Sequence, residues 1–361
     1  MRNKIIPIFI PHEGCPHDCS FCNQKKISGS VKVPGEEEIQ NTIQMYVDSN
    51  DESSKFTIAY YGGSFTAIEE EKQMALLQLA KTNMENGKIH GIRVSTRPDY
   101  LNEENVRLLK SYSVEHVEIG IQSTDPVVLS LANRHYDLDG IKEAVQNLKK
   151  SEINWGFQIM VGLPGDNRRK LLKTTFDLIH LKPSTLRIYP CLVIKDTQLE
   201  QFYYEGSYKP LPLQEAVDLV KIPFIAFTEK EIPIIRTGLH ASKSLGESGN
   251  VIAGPNHPSF GEIVVSSIIF DMICGYLDAQ EFSGNITIGC SLKMRSKVSG
   301  NKNFVLCKLK DRYGVDILIQ SDDSLENMIS IKSIHGDVKL SLGNYYKETV
   351  KEYESEYNIS R

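Results

Sequence analysis

The stretch Ile5-Ile6-Pro7-Ile8-Phe9-Ile10, followed closely by Gly14-Cys15-Pro16-His17-Asp18-Cys19-Ser20-Phe21-Cys22, governs the reading of the whole chain. The first segment has the apolar density of a buried strand. Three of the seven cysteines then fall within eight residues, spaced C-x3-C-x2-C, on the loop after that strand. Soft thiolates at this density suit an iron–sulfur cluster or zinc. Such a loop wraps a cube-shaped [4Fe–4S] cluster and ligates three of its irons, leaving the fourth open to N and O donors of a small molecule. Other readings stay open at this point. Zinc completed by His17 or His12 is one. A redox pair is a second, since Cys19 and Cys22 have the C-x-x-C spacing but not the helix-opening context. Unrelated buried thiols are a third. Cys191, Cys274, Cys290 and Cys307 are scattered and read as small buried hydrophobes.

Working outward, short β-rich runs alternate with longer helical patterns. Strands are expected at Ile5–Ile10, Phe56–Tyr60, Gly91–Ser95, Val114–Ile119, Trp155–Val161 and Thr185–Tyr189. Helices are expected between them at Glu36–Ser49, Glu69–Lys81, Glu103–Ser111, Asp139–Lys149 and Arg168–Leu181. Units of roughly 30 residues are the rhythm of a parallel sheet with crossover helices. Six units are too few for a full eight-fold barrel, so the expected fold is α/β, a partial (β/α)6 TIM-like barrel. In such barrels the chemistry sits on loops after the strand C-termini. The Gly, Pro and polar clusters of this chain fall on those loops.

The charge balance, −5 with 24% charged residues, excludes a polycationic binder and a disordered chain. No apolar run reaches the ~18 residues of a membrane span, and no secretory pattern opens the chain. The expectation is a cytoplasmic protein without membrane contact, whose thiols stay reduced. The pattern changes after Pro190, and the expected organisation is a barrel over 1–236, a capping extension over 237–283 and a small basic domain over 284–361. Residues 284–312 carry seven Lys or Arg against a single Asp.

C-x3-C-x-aromatic-C after a first strand resembles the signature of radical SAM enzymes. That resemblance implies a [4Fe–4S] cluster on Cys15, Cys19 and Cys22, whose open iron chelates the amino and carboxylate groups of S-adenosylmethionine. An electron from a reducing donor then cleaves the S–C5′ bond, and the resulting radical abstracts a substrate hydrogen. The remaining rim motifs match the family in order. Gly62, Gly63 and Ser64 match the segment contacting the methionine amino group, where a close backbone approach explains the glycines. Ser95 and Arg97 match the ribose and carboxylate contacts, with Arg97 suited to a bidentate pair. Gln122 and Ser123 match a second polar contact. Phe21 resembles the adenine-contacting aromatic, and Val161 and Leu163 the apolar adenine wall. Cys191, after the sixth strand, and Tyr189, at its end, are the catalytic candidates. Lys195, His135, His240 and His257 are further polar residues near the rim without an assigned role.

Within that superfamily the chain is similar to the radical domain of the elongator catalytic subunit, over roughly Ile5–Arg236. The likeness rests on Ser95–Tyr100, Gln122–Ser123, Asn133-Arg134-His135, Leu186–Thr197 and Gly206–Pro210. That family spaces its cysteines more widely before the last pair and carries an acetyltransferase domain, of which this sequence has no trace. The likeness implies radical chemistry on tRNA. The alternative is an oxidoreductase acting on a tetrapyrrole, like the oxygen-independent coproporphyrinogen oxidases, which place a further cysteine where this chain has Gln24. Methylthiotransferases need three further cluster cysteines that the scattered four do not supply. The tail, with Val298–Asn303 and then Leu306, Leu309, Tyr313–Ile317 and Ile319, follows the rhythm of a KH-type module, whose G-x-x-G loop clamps about four nucleotides. In this reading Asn303 replaces the second glycine. The partners expected are therefore tRNA, through the basic segment, and an electron donor.

Overall fold

The computed structural model describes residues 3–11, 13, 15, 19–28, 32–50, 54–239, 249–279, 284–334 and 336–359. Its first strands are β1 (Asn3–Ile10), β2 (Lys55–Gly62), β3 (Gly91–Thr96), β4 (Val114–Gln122), β5 (Asn154–Val161) and β6 (Thr185–Pro190). Next come β7 (Val193–Ile194), β8 (Ile234–Thr237) and β9 (Val251–Ala253). The last are β10 (Ile286–Cys290), β11 (Ile317–Ser321), β12 (Met328–Ser333) and β13 (Gly336–Ser341).

A parallel sheet runs in the order β1-β2-β3-β4-β5-β6-β8. This is the expected partial barrel with one addition: β8 pairs with β6 as a seventh strand. The sheet is curled. Tyr61 on β2 and Arg187 on β6 hydrogen-bond at 3.0 Å, although four strand spacings would separate them by about 19 Å on a flat sheet.

Alternation sorts each strand into two faces. Ile58, Val94, Val117, Ile119, Phe157, Ile159 and Ile188 pack in the main core with the surrounding helices. The alternate positions Tyr61, Arg93, Glu118, Gln158, Arg187 and Tyr189 belong to the concave face. Helices start sharply after the rim loops because side chains cap them. Asn102, Asp125, Asp137, Asn167 and Thr197 each accept a backbone N–H from the first turn.

Two expectations change. The Gly- and Pro-rich stretch Gly238–Pro258, whose composition predicts a loop, contains β9, which pairs antiparallel with β7 beyond the sixth strand. The helix Phe260–Asp278 is, contrary to the sequence reading, long and apolar enough to cross a membrane by length and composition. Over half of it is buried, against the helix Leu213–Glu229 on one side and Arg295–Ser299 on the other. A helix covered on several sides is apolar all round.

The C-terminal sheet has the order β11-β10-β12-β13, with β10 and β11 parallel and the other pairs antiparallel. The last helix, Leu342–Ile359, returns to the barrel layer. Its Tyr357 hydroxyl donates to Asp177 at 3.2 Å and its ring lies 5.1 Å from Phe176.

Candidate active site

All strands of a parallel sheet end on one rim, so the loops after β1 to β6 converge there. Of the first loop, His12 and His17 lie outside the described residues, as does His240 farther along the chain. Cys15, Cys19 and Cys22 are half-buried. The backbone N–H of Cys22 donates to Cys19 O at 3.0 Å, a tight turn that fixes the last two cysteines relative to each other. Gln24 donates to Cys22 Sγ at 3.4 Å. Burial pushes the Cys15 and Cys22 thiols up, the neighbouring cysteines add to this, and Arg134 opposes it at both. Among the described residues, no three His, Cys, Asp or Glu side chains are gathered as a site for a single ion. A tetrahedral zinc needs its sulfurs within ~2.3 Å of one point, whereas a cube distributes them over separate irons.

Arg134 is the residue that sequence reasoning missed. It is 5% exposed, and its Nη1 donates to Cys19 Sγ at 3.1 Å. Its other groups bond Tyr136 Oη and Gly120 O. No carboxylate pairs with it among the described residues. A buried cation of this kind is costly without a counter-charge, and the ionisable group it touches beyond Tyr136 is the Cys19 sulfur. The only sequence signal was the Asn133-Arg134-His135 stretch, which lies over a hundred positions from the cysteine.

The glycine turn after β2 makes a close contact that the sequence expectation does not include. Gly63 N donates to Ile10 O at 2.8 Å and Ser64 N to Glu13 O at 3.2 Å. A Cβ on Gly63 would stand 2.0 Å from Glu13 O. The glycines therefore allow a close approach to the cysteine loop itself. The Ser64 hydroxyl is committed to Thr96 Oγ1 at 2.8 Å and to the Arg97 N–H at 3.2 Å. This ties the loops after β2 and β3 together.

Arg97 does form a bidentate pair, but with Asp99 of its own loop, at 2.9 and 2.7 Å. Its Nη1 is buried and has no hydrogen-bond partner among the described residues. Ser95 is half-buried at the end of β3, paired in register with Glu118. Gln122 adopts a left-handed conformation (φ 66°) at a β-bulge, and its Oε1 is also buried without a partner among the described residues. For a non-glycine residue this conformation is uncommon, and here it falls at the rim. Ser123 turns away. Its hydroxyl bonds Thr174 at 3.2 Å and accepts the Asp125 N–H at 3.1 Å, a structural role.

Phe21 packs in a second apolar cluster with Leu163, Cys191, Val193, Leu199 and Tyr208, and Cys19 and Cys22 border it. Val161 departs from expectation: its side chain faces the main core, and only its carbonyl reaches this side, accepting the Cys191 N–H at 2.8 Å. Burial pushes the Cys191 thiol up to about 12. Tyr208 donates to Gly162 O at 2.7 Å, which fixes the Gly206–Pro210 stretch against the loop after β5. A pocket of about 450 Å³ opens there, lined by Leu163, Asp166, Tyr208 and Lys209 among others. Burial pushes the Asp166 carboxyl up to about 6. His257 Nδ1 accepts the Ser259 N–H at 3.0 Å, a turn-forming role. The Lys195 carbonyl accepts from Asn23 at 3.2 Å.

Below the rim, Arg187 Nη2 donates to Glu118 Oε1 at 2.8 Å. Tyr61 donates to the same carboxylate at 3.2 Å, and Tyr189 Oη accepts from Arg187 at 3.3 Å. Burial first, then the charges of Arg93 and Arg187, lowers His116 to about 3, so this imidazole is neutral. The concave face is thus polar and cross-linked at mid-depth.

A partial barrel with a three-thiolate loop, a buried counter-cation and two orphaned polar atoms on one rim defines a metallocofactor enzyme of the open-barrel class. The chain belongs to the radical SAM superfamily: that family matches residues 9–178, and the Radical_SAM C-terminal domain matches residues 183–269. It is an enzyme of that type, and its cofactors are a [4Fe–4S] cluster and S-adenosylmethionine. An uncharacterized protein of Methanocaldococcus jannaschii is 31% identical over 221 residues, covering 57% of this chain and 67% of that protein. The tRNA uridine(34) acetyltransferase of the same organism is 32% identical over 130 residues, covering 35% of this chain and 24% of that protein. Elongator complex protein 3 of Drosophila melanogaster is 30% identical over 136 residues, covering 37% and 25%. The chain thus spans about a quarter of the length of these last two relatives. The structure of Methanocaldococcus infernus Elp3 with an N-terminal deletion shares the fold at a TM-score of 0.59 and 20% identity, covering 74% of this chain and 62% of that one.

Proposed function

We propose that this radical SAM enzyme modifies RNA and that tRNA is its substrate. The observation that carries the reading is the 32% and 30% identity to a tRNA uridine(34) acetyltransferase and to Elongator complex protein 3.

In this reading Cys15, Cys19 and Cys22 hold the cluster, and Arg134 beside Cys19 balances thiolate charge. When bound, the cluster and S-adenosylmethionine supply a carbon radical that removes a hydrogen atom from an unactivated position. Arg97 offers one donor, Nη1, to the methionine carboxylate. Gln122 Oε1 offers an acceptor to the ammonium group. Both atoms are buried and unpartnered among the described residues, so each gains a hydrogen bond on ligation, and leaving either unmade is costly. Phe21 and Leu163 form the apolar wall for adenine. Ser95 adds a hydroxyl from β3, while Gly62, Gly63 and Ser64 brace the cysteine loop. Glu118, Arg187 and Tyr61 close the lumen below the rim, which confines the substrate to the loop side. A reducing protein or small molecule delivers the electron.

Nucleoside analysis of tRNA from a deletion strain tests the assignment. The loss of one modified nucleoside is expected, restored by the intact gene and not by a Cys15→Ala copy. An unchanged nucleoside profile overturns it.

A further inference from the structure

The C-terminal domain contains a unit that the barrel chemistry leaves unused. Strand β10 leads into the helix Arg295–Ser299, then the loop Gly300-Asn301-Lys302-Asn303, then the helix Phe304–Tyr313 and strand β11. The two strands are parallel and adjacent. The loop between the helices is sharply turned: Gly300, Lys302 and Asn303 have φ of 74°, 52° and 61°. Asn is among the residues that tolerate this region best, which accounts for its place where a second glycine was expected. Gly300 is not replaceable on space alone, since a Cβ there would meet Val305 Cγ2 at 2.9 Å and Val305 N at 3.0 Å. The loop is therefore pressed onto the start of the second helix, with Lys302 exposed at its turn.

The charges around this loop are unevenly spent. Lys310 pairs with Asp316 and Arg312 with Asp278, each at 2.7 Å. Lys293, Arg295, Lys297, Lys302 and Lys308 have no acidic partner among the described residues. The Lys308 ammonium stands 4.5 Å above the ring of Phe304, which begins the second helix. In a chain of net charge −5, unpaired cations gathered on one small module are the footprint of a polyanion site. A strand–helix–loop–helix–strand unit with a glycine-led four-residue loop is the arrangement by which KH modules grip the backbone of about four nucleotides.

We propose that this unit clamps single-stranded RNA by its phosphates, with the Gly300–Asn303 loop as the contact and Lys297, Lys302 and Lys308 as the cations around it. The proposal rests on the RNA-directed reading above and gives that reading a second contact point, outside the barrel.

The test is titration of the full-length, anaerobically reconstituted protein against a fluorescent single-stranded RNA dodecamer and against bulk tRNA, at several salt concentrations. The wild type is expected to bind both, with log Kd rising linearly with log salt. A Lys297→Ala/Lys302→Ala variant is expected to flatten the slope by about 1.4 for the dodecamer, at ~0.7 per phosphate contact in a single strand. A Lys302→Asp variant is expected to bind at least tenfold more weakly at low salt. Lys347→Ala/Lys351→Ala, on the last helix, serves as the control and is expected to keep the wild-type slope. Unchanged melting temperatures establish that the variants fold. Wild-type RNA binding with identical slopes in all variants overturns the clamp and leaves the tRNA reading standing. Absence of RNA binding by the wild type overturns both. Binding to phosphatidylglycerol vesicles that the same substitutions abolish, with no RNA binding, assigns the patch to a membrane surface instead and overturns the clamp.

Discussion

Replacing Gly63 by alanine separates two accounts of the glycine turn. Gly63 is not in a left-handed conformation, so alanine is opposed there by space alone. The added Cβ would lie 2.0 Å from Glu13 O, about 1 Å inside the 3.0 Å that real Cβ atoms keep. The obstacle is backbone on the cysteine loop, two residues before Cys15, so the loop must retreat by at least ~1 Å. Overpacking of this kind costs about 1–3 kcal/mol. A displacement of 1 Å in a catalytic constellation lowers rates about 100-fold. The assay is iron and sulfide content after anaerobic reconstitution, together with 5′-deoxyadenosine formation under reducing conditions. Gly63→Ala is expected to retain less cluster and to cleave S-adenosylmethionine about 100-fold more slowly. If the glycines instead exist to admit the cofactor, cluster content stays whole and only cofactor affinity falls. A variant with full cluster content and wild-type turnover would refute both accounts.

Three further outcomes are expected. Arg134→Leu removes the charge-assisted bond to Cys19, worth roughly 1.5–3 kcal/mol. Its cluster is expected to be lost to chelators tenfold to a hundredfold faster than in the wild type, read from visible absorbance. His116 is held near 3 when folded against 6.5 when free. The unfolded state therefore binds the extra proton first, and stability is full above pH 6.5 and falls as the pH drops from there toward 3. Denaturant titrations between pH 6.5 and 5 are expected to show about 2 kcal/mol of loss from this group, absent in His116→Gln. In the lumen, Glu118→Gln and Arg187→Met each leave a buried group without its charge partner and are expected to destabilise by about 3–5 kcal/mol. The double variant is expected to cost far less than their sum. Additive losses in the double-mutant cycle would show that the pair is not coupled.

Much of the barrel is legible because its signals are local. Runs such as Val114–Ile119 and Trp155–Val161 carry the apolar density of buried parallel strands, and the helical patterns at Glu103–Ser111 and Arg168–Leu181 fall between such runs. The cysteine spacing is equally local. What sequence reading missed depends on distant partners. A strand is expected around Pro233–Arg236, but that it joins the barrel sheet as a seventh strand is fixed only by its pairing with β6. Strands β7 and β9 define each other across more than fifty positions. Arg134 gains meaning only from Cys19, and Arg97 was read as free for a ligand carboxylate because Asp99, two residues on, gave no sign of taking its bidentate face. Val161 and Leu163 are two apart and would share a face on a continuing strand, but β5 ends at Val161 and Gly162 turns the chain with φ 83°, so the two side chains pack in different clusters. The apolar helix Phe260–Asp278 was not counted as long enough to cross a membrane, and its burial between two helical layers is a tertiary fact.

Low-temperature EPR of the dithionite-reduced protein, recorded before and after adding S-adenosylmethionine, addresses the three-thiolate site most directly. A signal of one reduced [4Fe–4S] cluster is predicted, with g-values that shift when the sulfonium ligand arrives and with no signal in Cys15→Ala, Cys19→Ala or Cys22→Ala. An iron-free protein holding zinc at these cysteines, or a cluster spectrum indifferent to S-adenosylmethionine, would contradict the account.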